Sequence, residues 1–288
     1  MRILLTGANG FVGSNIRTFF ESKNSEIIPV GRQEVINWQN IDSKPIGADV
    51  YIHTAGKAHD LKGKAEERDY FEVNVGLTQK LFHCFIRDKA AKDFIFFSSV
   101  KAAASRVEGI LLETDRFDLE DAYGMSKRAA EDWLLEQKLP EGRRLIILRP
   151  CMIYGDGHKG NLNLLKKLVK WNIPYPLAAF ENERSFVSID TVIQLVSKIM
   201  ESNAIPSGIF NVADPGYMST NDWIIKLSLE MGKEPKLWRI SPKIIRGLAY
   251  LGDYLRLPLN SHRLKKLTEN YRVSCEKLNK VMEYKRLI

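Results

Sequence analysis

Residues 6–13 read Thr-Gly-Ala-Asn-Gly-Phe-Val-Gly, with a glycine at every third position, and they follow directly on the apolar run Ile3-Leu4-Leu5. Few folds accept that order of strand, glycine turn and helix start. Gly7 permits a tight turn, Gly10 lets phosphate oxygens come against the backbone, and Gly13 lets the helix sit close on the strand. The helix start adds free N–H groups and the positive end of a dipole. The segment therefore reads as a dinucleotide pyrophosphate cradle, although its three-and-three spacing differs from the common Gly-x-Gly-x-x-Gly.

Strand-length apolar runs recur at Ile27–Val30, Val50–His53, Phe94–Phe97 and Leu145–Leu148, and helical patterning fills Phe11–Phe20, Tyr70–Ile86 and Tyr123–Leu135. The alternation predicts an α/β fold: a Rossmann-type doubly wound parallel sheet with helices on both faces. In the second helical stretch, Phe71, Val75, Leu81, Phe82 and Phe85 form one broad apolar stripe. After Pro150 the elements shorten and prolines cluster, as in Asn172-Ile173-Pro174-Tyr175-Pro176 and Asp214-Pro215-Gly216. This sets a soft boundary near residue 155. Residues 1–155 are the expected dinucleotide-binding domain and 156–288 mainly a smaller substrate-binding lobe, with some chain free to return to the first. From Ser241 onward the chain is basic and helical in pattern. There Ile244, Ile245, Leu248, Leu251 and Leu255 share a helix face, which either packs on the second lobe or lies on a membrane surface.

The net charge of +8 comes from basic residues such as Arg143-Arg144, Lys166-Lys167 and Lys265-Lys266 distributed among acids. That pattern reads as a solvated basic face able to steer a small anion, and it contains no nucleic-acid module. No apolar run is long enough for a transmembrane segment. Met1 leads straight into the first strand, which leaves no room for a secretory signal and points to a cytoplasmic protein. Cys84, Cys151 and Cys275 lie far apart, without a Cys-x-x-Cys pair or a histidine cluster, so they read as reduced, packed thiols and not as metal ligands.

The residue closing the second strand decides which adenosine ribose is read: an acid bonds a 2′-hydroxyl, an arginine a 2′-phosphate. Here Ile27-Ile28-Pro29-Val30-Gly31 ends at Arg32, which favours NADP; Glu34, two residues on, keeps NAD open.

Tyr123-Gly124-Met125-Ser126-Lys127 sets a phenol and an ammonium four residues apart, on one face if the stretch is helical. A tyrosine is a poor acid–base group at neutral pH, and a nearby cation lowers its pKa, so the pair reads as a proton relay. Some 24 residues earlier, Phe94-Ile95-Phe96-Phe97-Ser98-Ser99 ends an apolar strand in two hydroxyls. With these motifs the chain resembles the extended short-chain dehydrogenase/reductase family, in its nucleotide-sugar branch of epimerases, dehydratases and reductases. Further matches are Asp49-Val50-Tyr51-Ile52-His53-Thr54-Ala55-Gly56, Asn74, and Arg149-Pro150-Cys151-Met152-Ile153-Tyr154-Gly155.

The resemblance implies that Gly7, Asn9, Gly10, Phe11, Val12 and Gly13 hold the dinucleotide with Arg32, Thr54, Ala55, Gly56 and Asn74, and with Tyr123, Lys127 and Pro150 near the nicotinamide. Ser99 would bond the sugar's reacting oxygen, Tyr123 would be the acid–base, and Lys127 its partner at the nicotinamide ribose. Ser98 would support the strand end. Asn161 and Arg184 would contact the substrate diphosphate, a guanidinium matching phosphate oxygens bidentately. His59 would border the sugar or serve the structure. A homodimer through a four-helix bundle of the helices near 70–88 and 121–137 is implied as well.

Within the family, the run His53–His59, the serine pair and the stretch around Arg184 resemble bacterial polysaccharide enzymes acting on UDP-N-acetylhexosamines. Two features depart: Ala103-Ala104 stand where a Tyr-Gly pair is usual, and the segment after the second strand is irregular. The expected reaction is reduction of the C4 keto group of a UDP-4-keto-6-deoxy-N-acetylhexosamine by NAD(P)H, for surface polysaccharide synthesis. The alternative is an NAD-dependent UDP-sugar 4-epimerase of the UDP-glucose or UDP-N-acetylglucosamine type. A dehydratase needs an Asp-Glu pair where Val100-Lys101 stand, and a non-catalytic NADP-binding regulator would not be expected to keep both Tyr123 and Lys127.

Overall fold

The computed structural model describes residues 1–32, 34, 36–39, 41, 46–58, 66–157, 161–255 and 260–282, apart from the side chains of Asn161, His262, Lys266 and Met282. The first half of the chain runs β1 (Arg2–Thr6), α1 (Phe11–Ser22), β2 (Glu26–Val30), β3 (Val50–His53), α2 (Glu67–Phe71), a π-helical turn (Glu72–Gly76), α3 (Leu77–Arg87) and β4 (Asp93–Phe97). A 3₁₀ turn (Val100–Ala102), β5 (Ile110–Leu111), α4 (Ala122–Leu135), β6 (Arg144–Pro150) and β7 (Met152–Tyr154) follow. The remainder is α5 (Asn161–Lys170), β8 (Phe186–Ser188), α6 (Ile189–Glu201), β9 (Gly208–Val212), α7 (Thr220–Glu230), α8 (Pro242–Leu255), α9 (Ser261–Thr268), β10 (Arg272–Val273) and α10 (Glu276–Met282).

Among the described residues, six strands form one parallel sheet in the order β2-β1-β3-β4-β6-β9, the Rossmann-type α/β arrangement. The five apolar runs read from the sequence are strands β1, β2, β3, β4 and β6. Side chains alternate across the sheet and both faces are covered, which is why these strands read as nearly continuous apolar runs. On one face Ile3, Leu5, Ile52, Ile95, Ile146 and Leu148 pack under α1 and α6. On the other, Leu4, Tyr51, Phe94, Phe96, Leu145 and Ile147 pack under Leu81, Phe82 and Phe85 of α3 and Ala130 and Leu134 of α4. Much of the α3 apolar stripe is therefore spent on the chain's own sheet. A third core, with Tyr175, Phe186, Trp223, Leu227, Ile245 and Leu264, lies among the later elements.

Three observations extend the sequence reading. The sixth strand, β9, comes from residues 208–212, so the chain returns to the sheet after leaving it at Pro150. The stretch 70–86 is not one uniform helix, because the π-helical turn at Glu72–Gly76 interrupts it. The Arg143-Arg144 doublet is not a solvated face. Arg143 donates to the carbonyls of Phe85, Ile86 and Asp88 at the end of α3, and Arg144 to those of Ile199 and Ser202 at the end of α6 and of Ile205 in the loop after it, while pairing with Asp93 at 2.7 Å. Both cations cap helix C-termini, where carbonyls are left over and the dipole is negative.

The sheet changes direction at β1: the chain passes from β1 to β2 on one side, then to β3 on the other. A crevice beyond the strand ends results there. The glycine loop follows β1 and Thr54-Ala55-Gly56 follow β3. Gly7 has φ +69°, and a methyl group on Gly13 would be driven into the Gly7 carbonyl, so only glycine lets α1 start this close to the turn.

A buried ion pair ties α4 to β6. Arg149 Nη2 lies 2.6 Å and Nε 3.0 Å from the two oxygens of Glu131, with both side chains at 3 % exposure or less, and Nη1 donates to the Glu113 carbonyl at 3.1 Å. Removing one partner strands a buried charge. Glu131→Gln is expected to lower unfolding free energy by about 3–5 kcal/mol, measured by urea denaturation at neutral pH.

Candidate active site

Ser99 stands two residues beyond β4 in extended backbone and caps the 3₁₀ turn, its hydroxyl accepting the Lys101 N–H at 3.2 Å. Asp121 caps α4 by accepting the Gly124 N–H at 2.8 Å, which starts the helix just before Tyr123. Tyr123, Lys127 and Glu131 then follow at four-residue steps on one face. A side chain at Gly124 would stand 2.6 Å from the Lys101 carbonyl, so glycine here lets α4 close on the serine turn. Arg128 clamps that turn, donating to the carbonyls of Ala102 at 2.6 Å, Ala103 at 2.7 Å and Phe117 at 2.8 Å.

Ser99 stands beside the Tyr123 phenol and pulls its pKa down, yet burial dominates and holds the phenol above its ordinary pKa. Spacing alone predicts the opposite direction. The difference arises because the Lys127 ammonium is engaged elsewhere: Nζ donates to the Phe97 carbonyl at 2.9 Å and lies 4.7 Å from the Phe96 ring centroid. Burial pulls that ammonium down to about 8, against the opposing pull of Glu131. The resting site therefore holds a protonated phenol beside an ammonium that gives up its proton unusually easily. Ser98 supports the strand end through its backbone, its N–H donating to Leu148 at 2.8 Å, and its buried hydroxyl has no partner among the described residues.

A chain of hydrogen bonds braces the crevice floor. The Ala55 N–H donates to Thr6 Oγ1 at 3.1 Å, Thr6 Oγ1 meets His53 Nδ1 at 2.7 Å, His53 Nε2 meets Thr78 Oγ1 at 2.9 Å, and Thr78 Oγ1 donates to the Asn74 carbonyl at 2.6 Å. Because the Thr78 proton is committed to Asn74, His53 carries its proton on Nε2 and accepts from Thr6 at Nδ1. Burial, and next the charge of Lys127, push His53 well below its ordinary pKa, so it stays neutral. Asn74 lies in the π-helical turn, a rare geometry frequent at functional sites. Its amide donates to Lys57 O at 3.1 Å and Ser126 Oγ at 2.9 Å, and its Oδ1 accepts the Lys57 N–H at 2.8 Å. A methyl on Gly56 would stand 3.0 Å from Asn74 Oδ1 and 3.1 Å from Lys127 Nζ, so Gly56, Asn74 and Lys127 converge.

The glycine loop suits an anion. Helix α1 starts at Phe11 with no side chain capping its N-terminus from Gly10 and no acid in its first turn, leaving positive dipole free toward the crevice. Val12 packs partly buried against the sheet core, and the Phe11 ring lies within 4 Å of where a Gly157 side chain would stand. Pro150 ends β6 in register with Val212 of β9. At the far edge Arg32 is exposed and makes no ion pair among the described residues, while Glu34 Oε1 accepts from Asn9 Nδ2 at 3.4 Å.

Arg184 is largely buried, 17 % exposed, and Nη2 lies 3.5 Å from Glu269 Oε1. Burial lowers its pKa, and Glu269, Tyr271 and Tyr175 oppose that. Glu269 in turn lies 4.0 Å from Lys101 Nζ, so a charged row runs from Arg184 to the serine turn. Asn161 opens α5, with its side chain outside the described residues; His59 also lies outside them.

Sequence reasoning did not single out Glu131, Arg128, Glu269 or Tyr271. Tyr271 donates to the carbonyls of Val100 and Ala104, at 3.0 and 2.6 Å, and its ring lies 4.1 Å from Lys101 Nζ. Small side chains at Ala103 and Ala104, fully buried in the same cluster, admit this ring from the distant end of the chain.

A family model described as NAD dependent epimerase/dehydratase family matches residues 3–213. A UDP-glucose 4-epimerase of Vibrio cholerae is 31 % identical over 250 residues, covering 80 % of this chain and 76 % of that one. A UDP-2-acetamido-2,6-beta-L-arabino-hexul-4-ose reductase of Pseudomonas aeruginosa is 27 % identical over 214 residues, 71 % of this chain and 52 % of that one. Among solved structures, a human epimerase family protein crystallised with NADPH has a TM-score of 0.80 at 15 % identity, covering 100 % of this chain and 95 % of that one.

The displaced pKa of Lys127 gives a signature independent of any ligand. The folded ammonium titrates at about 8 and the unfolded one near 10.5, so between those values the unfolded chain binds more protons and folded stability rises with pH. Lys127→Met is expected to remove that rise. Urea unfolding of both proteins at about pH 7.5 and about pH 9.5 should move the stability difference toward the wild type at the higher pH.

Proposed function

The chain belongs to the NAD dependent epimerase/dehydratase family, and on that premise we propose that it reduces the C4 keto group of a UDP-4-keto-6-deoxy-N-acetylhexosamine with NADPH, for surface polysaccharide synthesis. Tyr123 carries the reading. A phenol held protonated by burial, beside Ser99 and sharing a helix face with Lys127, suits a step that gives a proton to a carbonyl oxygen. When bound at the glycine loop, a reduced nicotinamide supplies the hydride. Tyr123 delivers the phenolic proton to the C4 oxygen, so the ketone becomes an alcohol. Ser99 donates a hydrogen bond to the same oxygen and polarises the carbonyl. Lys127 stabilises the phenolate left behind and can return a proton to it.

The substrate class is supported by the relative whose name carries a UDP-2-acetamido-2,6-beta-L-arabino-hexul-4-ose, and by Arg184 and Asn161, which would face the diphosphate. NADPH is supported by the exposed Arg32, which makes no ion pair among the described residues. In this reading residues 1–155 bind the dinucleotide, through Gly7, Asn9, Gly10, Phe11, Val12, Gly13, Arg32, Thr54, Ala55, Gly56, Asn74 and Pro150. Residues 156–288 mainly serve the sugar nucleotide, and the helices near 70–88 and 121–137 pair two subunits.

A UDP-sugar 4-epimerase is the second reading, favoured by the Vibrio relative and by the Glu34 carboxylate on Asn9, which suits a ribose hydroxyl and hence NAD. There Tyr123 would first accept the substrate hydroxyl proton and later return it, with no net change in the dinucleotide.

The test offers NADPH and the 4-keto UDP-sugar and follows absorbance of the reduced nicotinamide. Stoichiometric consumption is expected, with Tyr123→Phe slower by roughly 10²–10⁴-fold at unchanged melting temperature. Interconversion of UDP-glucose epimers without net consumption, by a protein that retains NAD, would replace the reductase reading with the epimerase.

A further inference from the structure

Helix α8 turns most of its apolar surface outward. Of the five residues that share a face by pattern, Ile245 alone is buried, and with Ala249 and Gly252 it forms the narrow stripe that seats the helix on the third core. Ile244, Leu248, Leu251 and Leu255 recur at i, i+4, i+7 and i+11 and are 58, 50, 48 and 53 % exposed. Tyr250 and Tyr254 beside them are 76 and 85 % exposed, and Trp238, just ahead of the helix, is 58 % exposed. At 100° per residue these helix positions, with Gly247 and Lys243, span an arc of roughly 160°. Isolated apolar residues on a surface need no explanation; a contiguous arc of this width marks an interaction face.

The charge around that arc identifies what covers it. Residues 236–266 contain eight lysines and arginines and one acid, Asp253, a net of +7 in a chain whose total is +8. Lys236, Arg239, Lys243, Arg246, Arg263 and Lys265 are exposed, and Asp253 is engaged with the Ser261 N–H at 3.0 Å. The segment built around α8 thus carries most of the chain's positive excess. A second copy docked face to face would set this charge against itself. An anionic headgroup layer neutralises it and offers the leucines and aromatic rings the acyl boundary.

We infer that α8 is a peripheral docking helix for an anionic lipid bilayer, with Ile244, Leu248, Leu251 and Leu255 inserted at the headgroup boundary and Lys243, Arg246 and their basic neighbours on the phosphates. Among the described residues no helix is long and apolar enough to cross a membrane, so the contact lies along the surface. The helix is seated on the core that also holds Tyr175 and Phe186, which flanks Arg184, and Arg246 lies 5.8 Å from the Phe180 ring. Docking would therefore hold the Arg184 side of the protein at the bilayer.

The full-length protein is sedimented with vesicles of phosphatidylcholine alone and with vesicles of phosphatidylcholine and phosphatidylglycerol in equal parts. Binding to the anionic vesicles, little to the neutral ones, and release by added salt are expected. Lys243→Glu with Arg246→Glu, and separately Leu248→Glu with Leu251→Glu, should each reduce the bound fraction roughly ten-fold or more. All four positions are exposed, so melting temperature and turnover of a soluble substrate should match the wild type. No binding to anionic vesicles, equal binding to neutral ones, or binding unaltered in both variants would overturn the inference. So would concentration-dependent dimerisation, lost in Leu248→Glu with Leu251→Glu, by a protein that ignores vesicles; the face would then belong to a second copy.

Discussion

The ion pair between Arg149 and Glu131 holds the site's two halves in register. Arg149 is the penultimate residue of a central strand, one step before the proline that ends it, and Glu131 lies two turns along the helix from Tyr123. The same carboxylate supplies the opposing charge that keeps Lys127 from losing its proton still more readily. Arg149 also reaches the Glu113 carbonyl, and the Glu113 carboxylate accepts the Asn211 N–H at 3.1 Å, so the tie extends to the sixth strand. A pair so dry is a poor source of net stability, since desolvation offsets its Coulomb gain, but it allows only one arrangement of helix against strand. Positioning to a fraction of an ångström is what proton transfer requires.

Loops converge on that frame through glycine and guanidinium. Gly124 brings the helix against the serine turn, and Arg128 gathers the carbonyls of Ala102 and Ala103 at that turn with that of Phe117 from the stretch before α4. Tyr271 closes the turn from the other side. Ala103 and Ala104 share their buried cluster with this ring, which is drawn from the far end of the chain.

The sheet was legible wherever burial on both faces produced unbroken apolar runs, and the helices where a stripe or a cap stood out. The strand at 208–212 escaped because it begins at a glycine, carries Asn211 inside it and lies in a proline-marked region. Nothing in a periodicity distinguishes one extra residue in a turn, so the π-helical segment around Asn74 was invisible. Within the site, Ser99, Tyr123 and Lys127 follow fixed local spacings and could be read directly. Glu269 and Tyr271 could not, because their partners lie more than eighty residues away and only the closed fold brings them together. For α8 the pattern predicted an amphipathic helix correctly but left its outward face undecided between core and surface, which sequence period alone does not distinguish.

His53 sits at the middle of the crevice floor with both ring nitrogens engaged and its charge suppressed. Imidazole is ordinarily the side chain that responds first as acidity changes near neutrality. Here it behaves as a fixed strut, a rigid spacer between two threonines. The protein has thereby silenced, at the strand ends, the kind of group most apt to act as a proton sensor, and this strut keeps its charge state through mild acidification.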